Sequence, residues 1–221
     1  MTGSATIAGR DNDPGTLLTD VEVVVALYSG EIKITPLLRS DQLGPTIDLR
    51  LGTEFIVKKM DKMSFFDILT FNELAQSDER AIERYYERIR LIDPREPFVL
   101  HPRQFALGST LEYIDLSPKI GAQLEGRSSW AREGLNVHST AGLIHPGHRG
   151  VIVFELQNLG THPLPLFAGT RVAQLLFYRL PTASKKPYRK GSRYFGMTET
   201  RFGAPWKDWE YSRIREANKL L

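Results

Sequence analysis

The chain of 221 residues contains no cysteine. Disulfides, thiolate metal sites and a cysteine nucleophile are therefore excluded. No apolar run approaches the roughly twenty residues that a membrane-spanning helix needs. The first fifteen residues, MTGSATIAGRDNDPG, carry no apolar stretch of the secretory kind, which predicts a cytoplasmic protein with a loose N-terminal arm. A strong charge excess is also missing. Against 29 Lys and Arg stand 26 Asp and Glu, a formal charge of +3, whereas a general nucleic-acid binder carries a larger, clustered excess. Neither nucleic acid nor a membrane is expected as a partner. GxSxG, P-loop and GxGxxG signatures are absent, and so are internal repeats and low-complexity tracts.

What is present is 41% hydrophobic, enough for one substantial core. TDVEVVVALYSGEIKI reads as a short helix capped by Thr19 and ending near Gly30. PTIDLRLGTEFIVKK alternates apolar and polar residues between Pro and Gly, as a strand does. In the segment 64–92, Ala81, Ile82, Tyr85 and Ile89 recur at helical spacing, which predicts a helix over its second half. From residue 97, short β-branched and aromatic runs separated by Gly, Pro or Asn predict an all-β barrel or sandwich. From Pro181 the chain turns basic, with ten Lys and Arg against four Asp and Glu. Its Tyr188, Tyr194, Phe195, Trp206 and Trp209 predict a tail that packs against something, its last residues adding a helical turn or two. The predicted organisation is an arm over 1–15, a barrel over 16–180 and a tail or lid over 181–221.

Two stretches carry chemistry. EGRSSWAREGL gathers Arg127, Ser128, Ser129 and Arg132 around Trp130, a donor set that matches phosphate oxygens. It also suits an ordinary helix start with Ser128 or Ser129 as cap. In VIVFELQN, strand alternation puts Glu155 on one face with Val151 and Val153, and both faces look buried. A carboxylate there must be paired, protonated or useful. Burial would raise its pKa, which suits a group that takes and returns protons. The alternative is an ion pair with Arg132 or Arg171. His138, His145 and His148 cluster in NVHSTAGLIHPGHRG, but their spacing matches no zinc signature, and no metal site is expected from the protein's side chains.

In order and spacing, PTIDLRLG, LHPRQFALGSTLEYI, EGRSSWAREGLNVHSTAG, HPGHRGVIVFELQN and AGTRVAQLLF resemble the dCTP deaminase branch of the dUTPase-like superfamily. The resemblance runs from about LLTDVEVVVAL to RFGAP. It implies a mainly β, distorted jelly-roll barrel forming a homotrimer, with sites between subunits and a tail that closes over nucleotide. The implied reaction is hydrolytic deamination of dCTP to dUTP and ammonia, without zinc, with Mg2+ accompanying the triphosphate and dTTP as a candidate inhibitor. Zinc deaminases need cysteine ligands, which this chain lacks.

By the same resemblance Glu155 is the catalytic acid and base, and Ser128 and Arg132 position water and cytosine. Arg127, Ser129, Trp130, Ala131, Ala141, His145, Val153, Phe154, Gln174, Tyr188, Arg193 and Met197 fall at nucleotide-binding positions. Four residues depart from the family pattern. His145 replaces the aspartate of IDPG, which in hydrolase relatives activates the water that attacks dUTP. His148 replaces an aromatic residue beside the deoxyribose, Arg193 a lysine, and Met197 a glutamine. The His145 replacement predicts that deamination stops at dUTP. The alternatives are a related nucleotide hydrolase, such as a dUTP diphosphatase or another cytosine-nucleotide deaminase, and a nucleotide-binding trimer without catalysis.

Overall fold

The computed structural model describes residues 16–37, 43–59, 65–78 and 80–218. The predicted arm, residues 1–15, lies outside them. Among the described residues no helix is long and apolar enough to cross a membrane.

The capped helix forms as expected. Helix α1 (Asp20–Tyr28) starts at Thr19, whose hydroxyl accepts from Glu22 N–H while the Glu22 carboxylate accepts from Thr19 N–H at 2.9 Å. This reciprocal pair satisfies two donors that a helix start leaves open. The helix buries Val23 and Ala26.

The rest of the barrel is antiparallel. After β1 (Thr16–Leu17) and β2 (Ile32–Thr35) comes β3 (Thr46–Lys58), thirteen residues long. Next come β4 (Tyr86–Arg90), β5 (Phe98–Leu100), β6 (Phe105–Leu116) and β7 (Ile120–Gly126). Then follow β8 (Leu135–Asn136), β9 (Leu143–Ile144), β10 (Arg149–Asn158), β11 (Leu164–Leu166) and β12 (Arg171–Arg179). The large sheet runs β8-β10-β6-β3-β12-β7-β9, with β1, β2 and β4 on its margins; β5 pairs with β11. It curls around a core that includes Leu49, Phe55, Ile114, Phe154, Leu156 and Phe177.

Helix and strand exchange places between 65 and 90. The helix lies in the first half, as α2 (Ile68–Ser77), started by Asp67 accepting from Leu69 N–H at 3.0 Å. A single turn, α3 (Arg80–Glu83), follows. Tyr85 and Ile89, expected on a helix, instead enter or adjoin β4. The reason is β3. Strand β12 covers its edge only from Thr46 to Arg50, so the backbone groups of Glu54–Lys58 need another partner, which is β4. Arg88 and Arg90 from β4 both pair with the buried Glu54 carboxylate, Arg90 at 3.1 Å.

The tail packs on its own chain. A short turn at Pro205–Lys207 precedes α5 (Trp209–Asn218), almost three helical turns where one or two were expected. Trp206, 1% exposed, sits with Phe71, Ile82 and Ala204 in a second, smaller core. Its carbonyl accepts from Asn72 Nδ2. Loss of a buried indole costs about 3–5 kcal/mol. Trp206→Ala is therefore expected to lower stability by about that amount, read by urea unfolding, and to speed amide exchange in α2 before the barrel is affected.

Candidate active site

The pairing of β10 with β6 shifts register between Val151 and Val153, where extra residues of β6 bulge out between Ser109 and Tyr113. Beside the shift β10 bonds a β6 side chain on one edge and the tail on the other. Ile152 N–H donates to the Thr110 hydroxyl at 3.0 Å, and Val151 N–H donates to the Met197 carbonyl of the tail at 2.9 Å. Beyond the bulge Phe154 and Leu156 point into the core, fully buried. Val153 and Glu155 take the opposite, half-buried face. That face is more open than the sequence suggests.

Glu155 does not pair with Arg132 or Arg171. Its Oε2 accepts from Ser139 N–H at 2.7 Å and from Thr140 N–H at 3.4 Å. Glu155 N–H donates to the Val137 carbonyl at 2.9 Å, so strand and loop hold each other. Oε1 takes no protein donor among the described residues. The carboxylate is thus fixed through one oxygen, with the other available for proton exchange.

Glu155 lines a cavity of about 540 Å³. Of the predicted residues, Ala141, His145, Val153, Tyr188 and Met197 line it as well. Among its lining residues Glu155 is the only Asp or Glu. Phe154 does not present its side chain there, because strand alternation turns it into the core.

The Arg/Ser cluster of EGRSSWAREGL lies elsewhere on the chain. Arg127 N-caps the turn α4 (Ser128–Ala131), so neither Ser128 nor Ser129 is the cap, and no side chain bonds the helix start. Asp48 receives Arg127 Nε at 3.3 Å and Arg171 Nη1 at 2.9 Å. Ser128, Ser129, Ala131 and Arg132 are exposed, and Trp130 packs on the edge of the core. Gln174 is occupied by the Thr46 hydroxyl at 3.3 Å. None of these lines the Glu155 cavity. Arg193 is absent from its wall too, bound instead to Asp208.

The HPGH turn holds the tail. His148 N–H donates to the His145 carbonyl, and Tyr188 N–H donates to the Pro146 carbonyl at 2.8 Å. The Tyr188 ring lies 6.0 Å from each imidazole, nearly parallel to His145. Its hydroxyl accepts from Tyr194 N–H at 2.8 Å. Burial pushes the Tyr188 phenol up and the His148 imidazole down, so the first stays protonated and the second uncharged at neutral pH. Among the described residues no three His, Asp or Glu side chains converge as a metal would require.

Sequence reasoning missed Lys58, Phe66, Tyr86, Arg201 and Trp206, which line the cavity too. Lys58 ends an alternating strand, a visible signal; the others become neighbours only through the tail. It also missed Ser139 and Thr140, whose contribution is backbone N–H and leaves no mark on residue type.

Residues 17–180 match the model of a family described as dCTP deaminase-like. The dCTP deaminase of Natronomonas pharaonis is 38% identical over 186 residues, covering 82% of this chain and 91% of that protein. The Methanobrevibacter smithii protein named dCTP deaminase, dUMP-forming, is 34% identical over 201 residues, 89% of this chain and 99% of its own length. A crystal structure of the 2′-deoxycytidine 5′-triphosphate deaminase of Agrobacterium tumefaciens superimposes with a TM-score of 0.55 at 19% identity. It covers 76% of this chain, which spans 49% of that one, and supports the curled antiparallel fold alone.

Gly147 makes the HPGH turn possible. It sits at φ +82°, and a Cβ there would lie 2.7 Å from the Tyr188 carbonyl oxygen. Gly147→Ala is expected to cost more than about 1 kcal/mol and to raise amide exchange at Tyr188 and Tyr194, measured by mass spectrometry. Unchanged protection there would detach the tail from the turn.

Proposed function

Because the chain belongs to the dCTP deaminase-like family, with residues 17–180 matching its model, we propose that it hydrolyses the amino group of dCTP to give dUTP and ammonia. The observation that carries this reading is Glu155. It is a carboxylate on a cavity wall, held through one oxygen by two backbone N–H groups, and no other Asp or Glu is among the described residues that line that wall.

In the proposed reaction Glu155 takes a proton from water as the water oxygen bonds to cytosine C4, and the proton passes to ring N3. Glu155 then takes the proton of the new C4 hydroxyl and hands it to the exocyclic amine, the C4–N bond breaks, and ammonia leaves as the C4 carbonyl forms. One carboxylate serves as base and then as acid. Ala141 belongs to the water's side of the cavity. Ser128 and Arg132, with Arg127 and Ser129, position water, base and phosphates. These four lie away from their own chain's cavity, which favours a homotrimer in which they reach the Glu155 of a neighbour. The tail from 181 onward then acts as the cover of the site. Mg2+ would arrive with the triphosphate and screen its charge. A zinc-free mechanism rests on a chain without cysteine. dTTP carries the same sugar and triphosphate and would compete for the cavity.

The product distinguishes two readings. The name of the Methanobrevibacter smithii relative favours dUMP as the end product. His145 at the HPGH turn favours dUTP, because an imidazole replaces the aspartate that would activate water near the phosphates.

With Mg2+ and dCTP, chromatography should show dUTP and one ammonia per turnover, without pyrophosphate. Appearance of dUMP would establish that the histidine turn supports hydrolysis. Nucleotide binding without ammonia would mark a non-catalytic trimer. Glu155→Gln should lower kcat by about 100-fold or more while keeping the melting transition and dCTP binding; full turnover in that variant would take Glu155 out of the mechanism.

A further inference from the structure

The cavity carries two cations that no acidic residue neutralises among the described residues. Arg201 is exposed at its rim and makes no hydrogen bond or ion pair among the described residues. Lys58 has its ammonium 4.6 Å over the Phe66 ring and no acidic partner among them. An unpaired arginine on a loose loop would mean little. Here the backbone on both sides of it is pinned.

Thr200, fully buried, donates its hydroxyl to the Glu54 carbonyl at 3.1 Å, and its own carbonyl accepts from Arg88 Nη1 at 3.1 Å. On the other side the Phe202 ring stacks on Tyr86 at 4.6 Å. Arg201 therefore stays at the rim. The neighbouring acid, Glu54, is already taken by Arg88 and Arg90. Five N–H donors in a fixed fork are left facing the cavity mouth without an acceptor.

Lys58 joins Arg201 through Tyr86, its cross-strand partner and the ring under Phe202. From Glu155 the register runs to Leu107 on β6 and Ile56 on β3, with Lys58 two residues further. Strand spacing then separates the Glu155 and Lys58 Cα atoms by about 12 Å. A ligand that spans this cavity must meet a carboxylate at one end and two unneutralised cations at the other. A chain of phosphate oxygens supplies the matching charge and acceptors. Arg193, the tail cation expected on the nucleotide, is committed to Asp208 and lies off the wall.

We propose that Arg201, supported by Lys58, holds the phosphate chain of the bound nucleotide in place of Arg193; the proposal rests on the cavity being the nucleotide site. Arg201 is a positioning residue, remote from the reacting carbon.

The test compares Arg201→Ala, Arg201→Lys and Arg193→Ala in the full chain, with dCTP and dCMP as substrates. In Arg201→Ala, KM for dCTP should rise about tenfold or more, with kcat within about twofold and the preference for dCTP over dCMP narrowed. Arg201→Lys should recover part of that loss, and Arg193→Ala should raise KM less than Arg201→Ala does. An unchanged KM in Arg201→Ala, or a fall in kcat at constant KM, would overturn the proposal while leaving the deaminase reading in place. Should the parent chain fail to turn over dCTP, the deaminase reading falls instead. Calorimetric titration with magnesium tripolyphosphate then decides the anion site. Binding that weakens in Arg201→Ala upholds it, and equal binding or none removes it.

Discussion

Two backbone hydrogen bonds join the tail to the edge of β10 that β6 leaves open: Gly196 N–H to the Arg149 carbonyl at 2.7 Å, and Val151 N–H to the Met197 carbonyl at 2.9 Å. They splice the tail onto the strand at the bulge. On that edge, the one turned away from β6, Arg149 and Val151 meet the tail, while Glu155 and Gln157 meet Val137 and β8. The hydroxyl of Thr110 satisfies the neighbouring Ile152 N–H, so the irregularity leaves no orphan group in the core. Strand alternation places Glu155 on the half-open face, and Tyr188, Tyr194 and Met197 of the tail spliced to β10 cover it.

The cover is then fastened at points progressively further from Glu155. Tyr188 is held on the HPGH turn, Thr200 on β3, and Trp206 in the small core built with α2. The insertion at 65–90 is thus part of the cavity's construction. It contributes Phe66 and Tyr86 to the wall and receives the tail's largest ring. The Asp48 pair with Arg127 and Arg171 does for the opposite corner what these contacts do here. It fixes the Arg/Ser turn against the barrel without bringing it to Glu155.

Much of this was legible in the sequence. Thr19 with Glu22 announces a helix start, and the short runs after residue 97 become strands because their alternation matches a sheet with a buried face. Glu155 stood out as a carboxylate among apolar neighbours, and it is a wall of the cavity. What could not be read was decided by distant partners. Ala81, Ile82, Tyr85 and Ile89 carry a helical spacing that Ala81 and Ile82 keep in the turn α3, but the uncovered edge of β3 claims Ile89 for β4. Arg193 matches a nucleotide-binding position, but Asp208, fifteen residues on, takes its guanidinium. The donors that hold Glu155 are peptide N–H groups, which every residue but proline possesses.

The distribution of acid and base in the cavity bears on which chemistry it favours. A carboxylate beside another is hindered from ionising, and the two divide acid and base roles between them. Here the HPGH turn brings two imidazoles and no fixed negative charge, and burial keeps that of His148 uncharged at neutral pH. Glu155 is left as the single carboxylate of the wall. Deamination asks one group to remove a proton and give it back at nearly the same place, which a lone, well-held carboxylate can do. Attack on a phosphoanhydride asks for a second base near the phosphates, and there the wall offers cations. A wall with one carboxylate and two cations, Lys58 and Arg201, suits a single proton-transferring group beside an anionic ligand better than two acids acting in concert.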